Sequence, residues 1–186
     1  MLQYSGRPHV EAEVVSPTLC GWAHEVVPGE AGGRGSIYLG PLQSCDGSEP
    51  GTLEQLRAAG VGAIVNCTMS AANAFEGQGI EYCRIAVRDE ADAGLLVFML
   101  GAANFIEARV ARGCSVLVHC ENCVSRSASI VMAHQIRFGA PERSTREAVY
   151  VAVKSVRQVV DPNPGFWEQL ADFEKVCAGP HNATFT

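Results

Sequence analysis

The sequence predicts an α/β fold, a central mixed and mostly parallel sheet of about five strands flanked by helices. Short aliphatic and β-branched runs such as Gly62-Ala-Ile-Val-Asn66 and Val116-Leu-Val118 suit strands buried on both faces. Longer stretches, the clearest over 95–112 and 127–138, carry apolar residues at helical spacing. Helices that alternate with short buried strands imply a parallel or mixed sheet. With 186 residues, the chain makes one domain large enough to bury a core.

In chain order, residues 1–21 mix Pro, Gly and charge without periodicity and read as a loosely held extension ahead of a domain over 22–178. His24-Glu-Val-Val-Pro28 and Ser36-Ile-Tyr-Leu-Gly40 are strand-like, and the Gly-rich stretch 29–35 between them is a turn. Thr52, with Gln55 three residues on, reads as a capping box. Leu53, Leu56 and Ala59 continue that helix and Gly60 ends it. The strand over 62–66 runs into Cys67-Thr68, and the partly alternating stretch 80–87 is a further strand. The helix over 95–112 turns Leu96, Met99, Leu100, Ala103, Phe105, Ile106 and Val110 toward the core, and Gly113 closes it. A strand over 115–119 leads through a tight loop into the helix over 127–138, which Gly139 and Pro141 break. Ser144-Thr-Arg-Glu147 reads as a capping box for a helix through about Val160. Asp161-Pro-Asn-Pro-Gly165 is a turn, and Phe166, Leu170, Phe173 and Val176 mark a last helix closed near Gly179. Residues 179–186 read as a disordered tail.

The stretch that carries chemistry is His119-Cys120-Glu-Asn-Cys-Val-Ser125-Arg126-Ser127, between a strand and a helix. A loop whose N–H groups converge at a helix N-terminus is an anion site, most often for phosphate. The Cys at its start would lie beneath the anion, and the Arg at its end would grip two oxygens. The Cys-x5-Arg spacing arises readily by chance in a chain with eight Cys. The strand before it, the helix after it, the His before the Cys and the Ser after the Arg make it specific.

This loop resembles the signature loop of the cysteine-dependent dual-specificity protein phosphatases, with one departure: Cys123 stands where the family usually has Gly. Ala148-Val-Tyr-Val-Ala-Val-Lys154 and Pro162-Asn163-Pro-Gly165-Phe166 resemble the family's late helices and the turn between them. The resemblance covers about residues 22–178 and implies a small atypical member with the protein tyrosine phosphatase-like fold. It implies hydrolysis of phosphotyrosine and phosphoserine/threonine esters through a cysteinyl-phosphate, with no metal and no cofactor. Cys120 would be the nucleophile, its thiolate favoured by the helix N-terminus, the inward amides and the Arg. Arg126 would bind the phosphoryl oxygens bidentately and stabilise the transition state. The amides of Glu121, Asn122, Cys123, Val124, Ser125 and Arg126 would complete the cradle, so that the side chains there matter less. Ser127 would donate a hydrogen bond to the Cys120 sulfur and help it leave, and His119 would fix the loop. The family's general acid is an Asp after the strand matching 80–87. Asp89 sits there, with Asp92 as rival and Glu90 as a weaker one. Cys67 lies past the end of a strand expected beside that of Cys120, where some family members have a resolving Cys. It is one candidate to trap oxidised Cys120 as a disulfide. Cys123 is the other, although inward amides should turn its side chain outward.

Two rival readings remain. Cys120-Glu-Asn-Cys123 has the spacing of disulfide oxidoreductases, but that reading leaves Arg126, Ser127 and the Asn-Pro-Gly-Phe turn without a role. The other is a pseudophosphatase that binds phosphoproteins without turnover. Cys120, Arg126 and Asp89 argue against it, and Cys123 in place of Gly keeps it open. The net charge of −6 speaks against nucleic acid or an anionic membrane as partner. The expected partner is a phosphorylated protein substrate, and the chain is expected to be a monomer. The eight Cys fall at irregular spacings that suit neither a disulfide framework nor a zinc site. No N-terminal apolar signal appears, and no apolar run approaches the roughly 18 residues of a membrane span. A thiolate nucleophile requires a reducing compartment, so the expected location is cytoplasmic, the nucleus included.

Overall fold

The strands of the computed structural model, which describes residues 7–10, 18–30 and 32–179, form one sheet in the order β1-β2-β3-β6-β4-β5. They are β1 (Thr18–Leu19), β2 (Ala23–Val27), β3 (Ile37–Pro41), β4 (Val61–Asn66), β5 (Glu81–Arg84) and β6 (Ser115–Cys120). β3, β6, β4 and β5 run parallel, and β1 and β2 add antiparallel at one edge. The helices are α1 (Thr52–Ala58), α2 (Leu96–Val110), α3 (Arg126–Phe138), α4 (Arg146–Val156) and α5 (Pro164–Ala178). The sheet is the mixed, mostly parallel one that the sequence predicts, with six strands instead of about five. The additional strand is β1, whose two residues are too few to show a period. It lies inside the stretch read as loosely held, yet Thr18 and Leu19 pair with His24 and Ala23. The expected tail from residue 180 onward lies outside the described residues.

Side-chain alternation along the strands divides the interior into two cores. Val116 and Val118 of β6 join Ile37, Leu39, Ala63 and Val65 in the larger core, under Met99, Ile130, Tyr150 and Phe166 of α2 to α5. Leu117 and Ile64 point the other way and meet Leu56 of α1. Every residue of β6 is buried. The helix that follows it, α3, packs against α2, α4 and α5, so that 10 of its residues are buried. The loop between β6 and α3 is therefore anchored at both ends in the larger core.

Several local expectations give way to tertiary context. α1 is entered through Gly51 at φ +81°, so Thr52 falls inside the first turn and its hydroxyl donates to the Glu49 carbonyl at 2.7 Å instead of capping. α4 is capped by Thr145, whose hydroxyl accepts from the Ala148 N–H at 3.3 Å. Ser144 instead donates to the Pro141 carbonyl at 2.8 Å, closing the short 3₁₀ turn before the helix. α4 also stops at Val156, because Arg157 turns away to reach the Trp22 carbonyl and the His24 ring at 2.9 and 2.7 Å. β5 is shorter than expected: after Arg84 the chain leaves the sheet toward the site. On α2, Leu100 is exposed along with Val97 and Phe98, while Met99, Ala102, Ala103, Ile106 and Val110 are buried. Nearly every side of this helix is apolar, so periodicity could not choose its inner face. Val176 of α5 is likewise exposed.

A charged cluster ties α2 and α3 to the loop between β2 and β3. The Glu107 carboxylate accepts two hydrogen bonds from Arg34, at 2.8 and 2.7 Å. It lies 3.1 Å from Nε2 of buried His134, whose Nδ1 accepts from Gln135 at 2.9 Å. The Arg34 hydrogen bonds first, and the His134 one second, hold the Glu107 carboxyl down at about 2, below its ordinary 4.5. A depressed acid stabilises the fold fully above its unfolded value, and that contribution fades as pH falls through the folded value. Glu107→Gln is expected to cost about 1–2 kcal/mol at neutral pH, the range of charge-assisted hydrogen bonds at a partly exposed site. The gap from wild type should close as pH falls from 4.5 toward 2. Urea melts across that window measure it, and a gap that stays constant would contradict this account.

Candidate active site

β6 delivers Cys120 to the C-terminal edge of the parallel strands, where ligands bind in open α/β sheets. Its neighbours there are Pro41 of β3 and, one step past β4, Cys67, whose N–H donates to the His119 carbonyl at 2.8 Å. The chain turns through residues 121–125 and enters α3 at Arg126. Cys120 is only 1 % exposed, and its sulfur accepts two hydrogen bonds. One comes from the Cys123 N–H at 3.2 Å and one from the Ser127 hydroxyl at 3.1 Å.

Cys123 does not turn outward as the sequence suggested. It has φ +58° and is completely buried, with its thiol beside the Ser127 hydroxyl and Arg157. A left-handed residue projects its Cβ to the opposite side of the loop, here toward the core. Gly adopts this φ freely, whereas a Cβ in that region costs roughly 1–2 kcal/mol. Burial pushes the Cys123 thiol up to about 12.

Arg126 is 7 % exposed and points back under the loop. Its Nη1 donates to the Val87 carbonyl at 3.3 Å, and its Nε lies 3.5 Å from Asp89 Oδ2. Its Nη2 is paired with the carboxylate of Glu121, a residue expected to matter only through its backbone. Among the described residues Asp89 meets Arg126, whereas Glu90 pairs with Arg88 at 2.6 Å and Asp92 is exposed on the following turn. Asn122 is exposed, and Val124 and Ser125 face the segment before α5. His119 is buried, and that burial lowers its imidazole to about 4 despite a hydrogen bond to the Cys120 backbone. It is neutral at physiological pH. Cys67 is completely buried, and its thiol is pushed well up, mainly by desolvation and then by Cys120. Among the described residues no group of three or more His, Cys, Asp or Glu is placed to hold a metal ion.

Asn163 does more than mark a turn. Its side-chain oxygen caps α5 by accepting from the Phe166 N–H at 2.9 Å, and its own N–H donates to Ser125 Oγ at 3.0 Å. Its side-chain amide donates to Asp89 Oδ1 at 2.9 Å. The Asp161 N–H donates to the Val124 carbonyl at 2.8 Å. Gly165 lets α5 start against the Asp89 loop, because a Cβ there would collide with the Ala91 carbonyl. The sequence signals only part of this: Asn before Pro is a helix start. The link to Asp89, 74 residues away, is tertiary.

Strand, turn and buried Arg place a thiol at the start of a loop that a guanidinium closes, the arrangement expected of a cysteine-dependent phosphatase. The sequence profile of the dual specificity phosphatase catalytic domain matches residues 44–176, well over half of the chain, and the chain belongs to that family. It is 32 % identical over 162 residues to human dual specificity phosphatase 28, covering 80 % of this chain and 87 % of that one. It is 38 % identical over 141 residues to mouse Slingshot homolog 1, covering 75 % of this chain but only 13 % of that much longer protein. The crystal structure of human DUSP28 superposes with a TM-score of 0.72 at 29 % identity, over 90 % of this chain and 100 % of that one. A mouse putative dual specificity phosphatase complexed with zinc tungstate gives 0.71 at 27 % identity, over 90 % and 94 % of the two chains.

The two jobs of the Asn163 side chain separate by substitution. Asn163→Ala removes the α5 cap and should cost about 1 kcal/mol of stability. Asn163→Asp keeps the cap but replaces the donor to Asp89 with a like charge. Both should slow turnover of an aryl phosphate, and wild-type turnover in Asn163→Asp would show that the link to Asp89 is incidental.

Proposed function

We propose that this chain hydrolyses phosphotyrosine and phosphoserine or phosphothreonine esters of protein substrates through a cysteinyl-phosphate intermediate. The observation that carries the reading is one cluster. The Cys120 sulfur takes hydrogen bonds from Cys123 and Ser127 at the start of a loop whose closing Arg126 contacts Asp89. The Cys120 thiolate attacks phosphorus, forming the S–P bond as the P–O bond to the leaving group breaks. Arg126 holds two of the phosphoryl oxygens and balances the transition-state charge. Its Nη2, which pairs with the Glu121 carboxylate, exchanges that partner for a substrate oxygen. Asp89 gives its proton to the departing oxygen. In the second step water attacks phosphorus, Asp89 takes back a proton, and the Ser127 hydroxyl stabilises sulfur as it leaves.

In this reading the catalytic unit spans 22–178 and works where thiols stay reduced, in the cytoplasm or nucleus. Among the described residues no helix is long and apolar enough to cross a membrane. The mouse relative is complexed with zinc tungstate, whose oxyanion is tetrahedral like phosphate, and this supports oxyanion binding by the present chain. The disulfide-exchange reading loses ground because it gives no role to the Ser127 hydrogen bond on the Cys120 sulfur or to the contact between Arg126 and Asp89.

Turnover of 4-nitrophenyl phosphate should vanish in Cys120→Ser and in Arg126→Ala. Asp89→Asn should slow phenyl phosphate, a poor leaving group, by roughly 10²–10⁴-fold. Activity surviving in Cys120→Ser would refute the mechanism, and the phenotype appearing in Asp92→Asn alone would reassign the acid.

A redox arm follows from the position of Cys67. Peroxide converts the Cys120 thiolate to a sulfenic acid and releases hydroxide. The Cys67 thiol then displaces water to form a disulfide. Mild peroxide should give a reversibly inactive protein with a Cys67–Cys120 link by peptide mapping. A Cys120–Cys123 link, or sulfonic acid with no disulfide, would rule Cys67 out.

A further inference from the structure

Residues 7–10 lie far before the matched family segment, and the chemistry above needs none of them. Arg7 is nonetheless buried against the domain, its side chain 8 % exposed. The guanidinium carbon lies 4.8 Å from the ring centre of Trp167 on α5 and 5.9 Å from that of Tyr150 on α4. Those rings meet edge to face at 5.2 Å. Arg7 Nη2 donates to the Pro162 carbonyl at 2.6 Å, and Nη1 pairs with the Asp161 carboxylate. Val10, three residues on, packs against the main core.

The groups that receive Arg7 are the ones that brace the site. The backbone of Asp161 donates to Val124 in the cradle, and Asn163 donates from its backbone to Ser125 and from its side chain to Asp89. Arg7 thus grips residues 161 and 162 from outside while the same short turn holds the loop and the acid from inside. A guanidinium fits this slot better than an ammonium. Its charge sits over an indole while its fork reaches a carboxylate and a carbonyl together.

We infer that Arg7 is a positioning residue. The N-terminal arm binds its own domain as a guanidinium clamp that sets the 161–163 turn, and through it the phosphate loop and Asp89. The inference rests on the phosphatase reading for its kinetic consequence but not for its structural one. A clamp on the acid affects reactions that need the acid most. Arg7→Ala in the full chain should lower kcat for phenyl phosphate about tenfold, a fraction of the 10²–10⁴ that a general acid supplies. It should lower kcat for 4-nitrophenyl phosphate much less. Amide exchange over 120–126 and 86–92 should speed up in the same variant.

Methylguanidinium at millimolar concentration should restore both the leaving-group ratio and the exchange protection of Arg7→Ala, and leave wild type unchanged. Arg7→Lys should fail to restore either. Wild-type kcat and exchange in Arg7→Ala would overturn the clamp. So would an equal loss on both esters that follows a lowered melting temperature without rescue. If wild type hydrolyses neither ester while exchange still responds to Arg7→Ala and methylguanidinium, the clamp stands and the phosphatase reading fails.

Discussion

A sulfur atom at the end of a fully buried strand has only the polar partners the protein gives it. For Cys120 these are an N–H from the middle of the loop and a hydroxyl from the first turn of α3. A polar group removed from water must be matched by partners fixed in the protein. That requirement explains the rest of the arrangement. The loop needs a left-handed residue to bring the Cys123 amide round to the sulfur. The loop must also be anchored at both ends, and β6 and α3 are both set in the larger core.

The second constraint is a buried cation. Arg126 is nearly enclosed, and its charge needs partners inside the protein. Glu121 and Asp89 keep it paired, and the Val87 carbonyl fixes the direction of its guanidinium. Both carboxylates are partly exposed, unlike the guanidinium they pair with.

The site depends on segments far apart in sequence. Strand order brings β3 and β4 to either side of β6 and so places Cys67 next to Cys120. The turn before α5 braces the loop through Val124 and Ser125 and orients Asp89 through Asn163, and the missing side chain at Gly165 lets the acid loop approach. On the outside of that turn, Trp167 and Tyr150 form the slot that Arg7 fills.

The buried run of β6, the apolar spacing of α3, and the Cys, Arg and Ser at the strand–helix junction are local patterns, so they could be read before any contact was known. Fold class and family followed from them. Periodicity could not tell which side of the uniformly apolar α2 faces inward, and Leu100 was assigned wrongly for that reason. Capping rules found the right neighbourhoods and chose the wrong residues at Thr52 and Ser144, because Gly51 and the 3₁₀ turn before α4 had already fixed the chain's direction. β1 was too short to carry a period. The inward turn of Cys123, the Glu121–Arg126 pair, the triple role of Asn163 and the docking of Arg7 each join groups with no local signature. They exist only once the sheet has set the strand order and the packed helices have fixed the distances, which is why tertiary structure alone decided them.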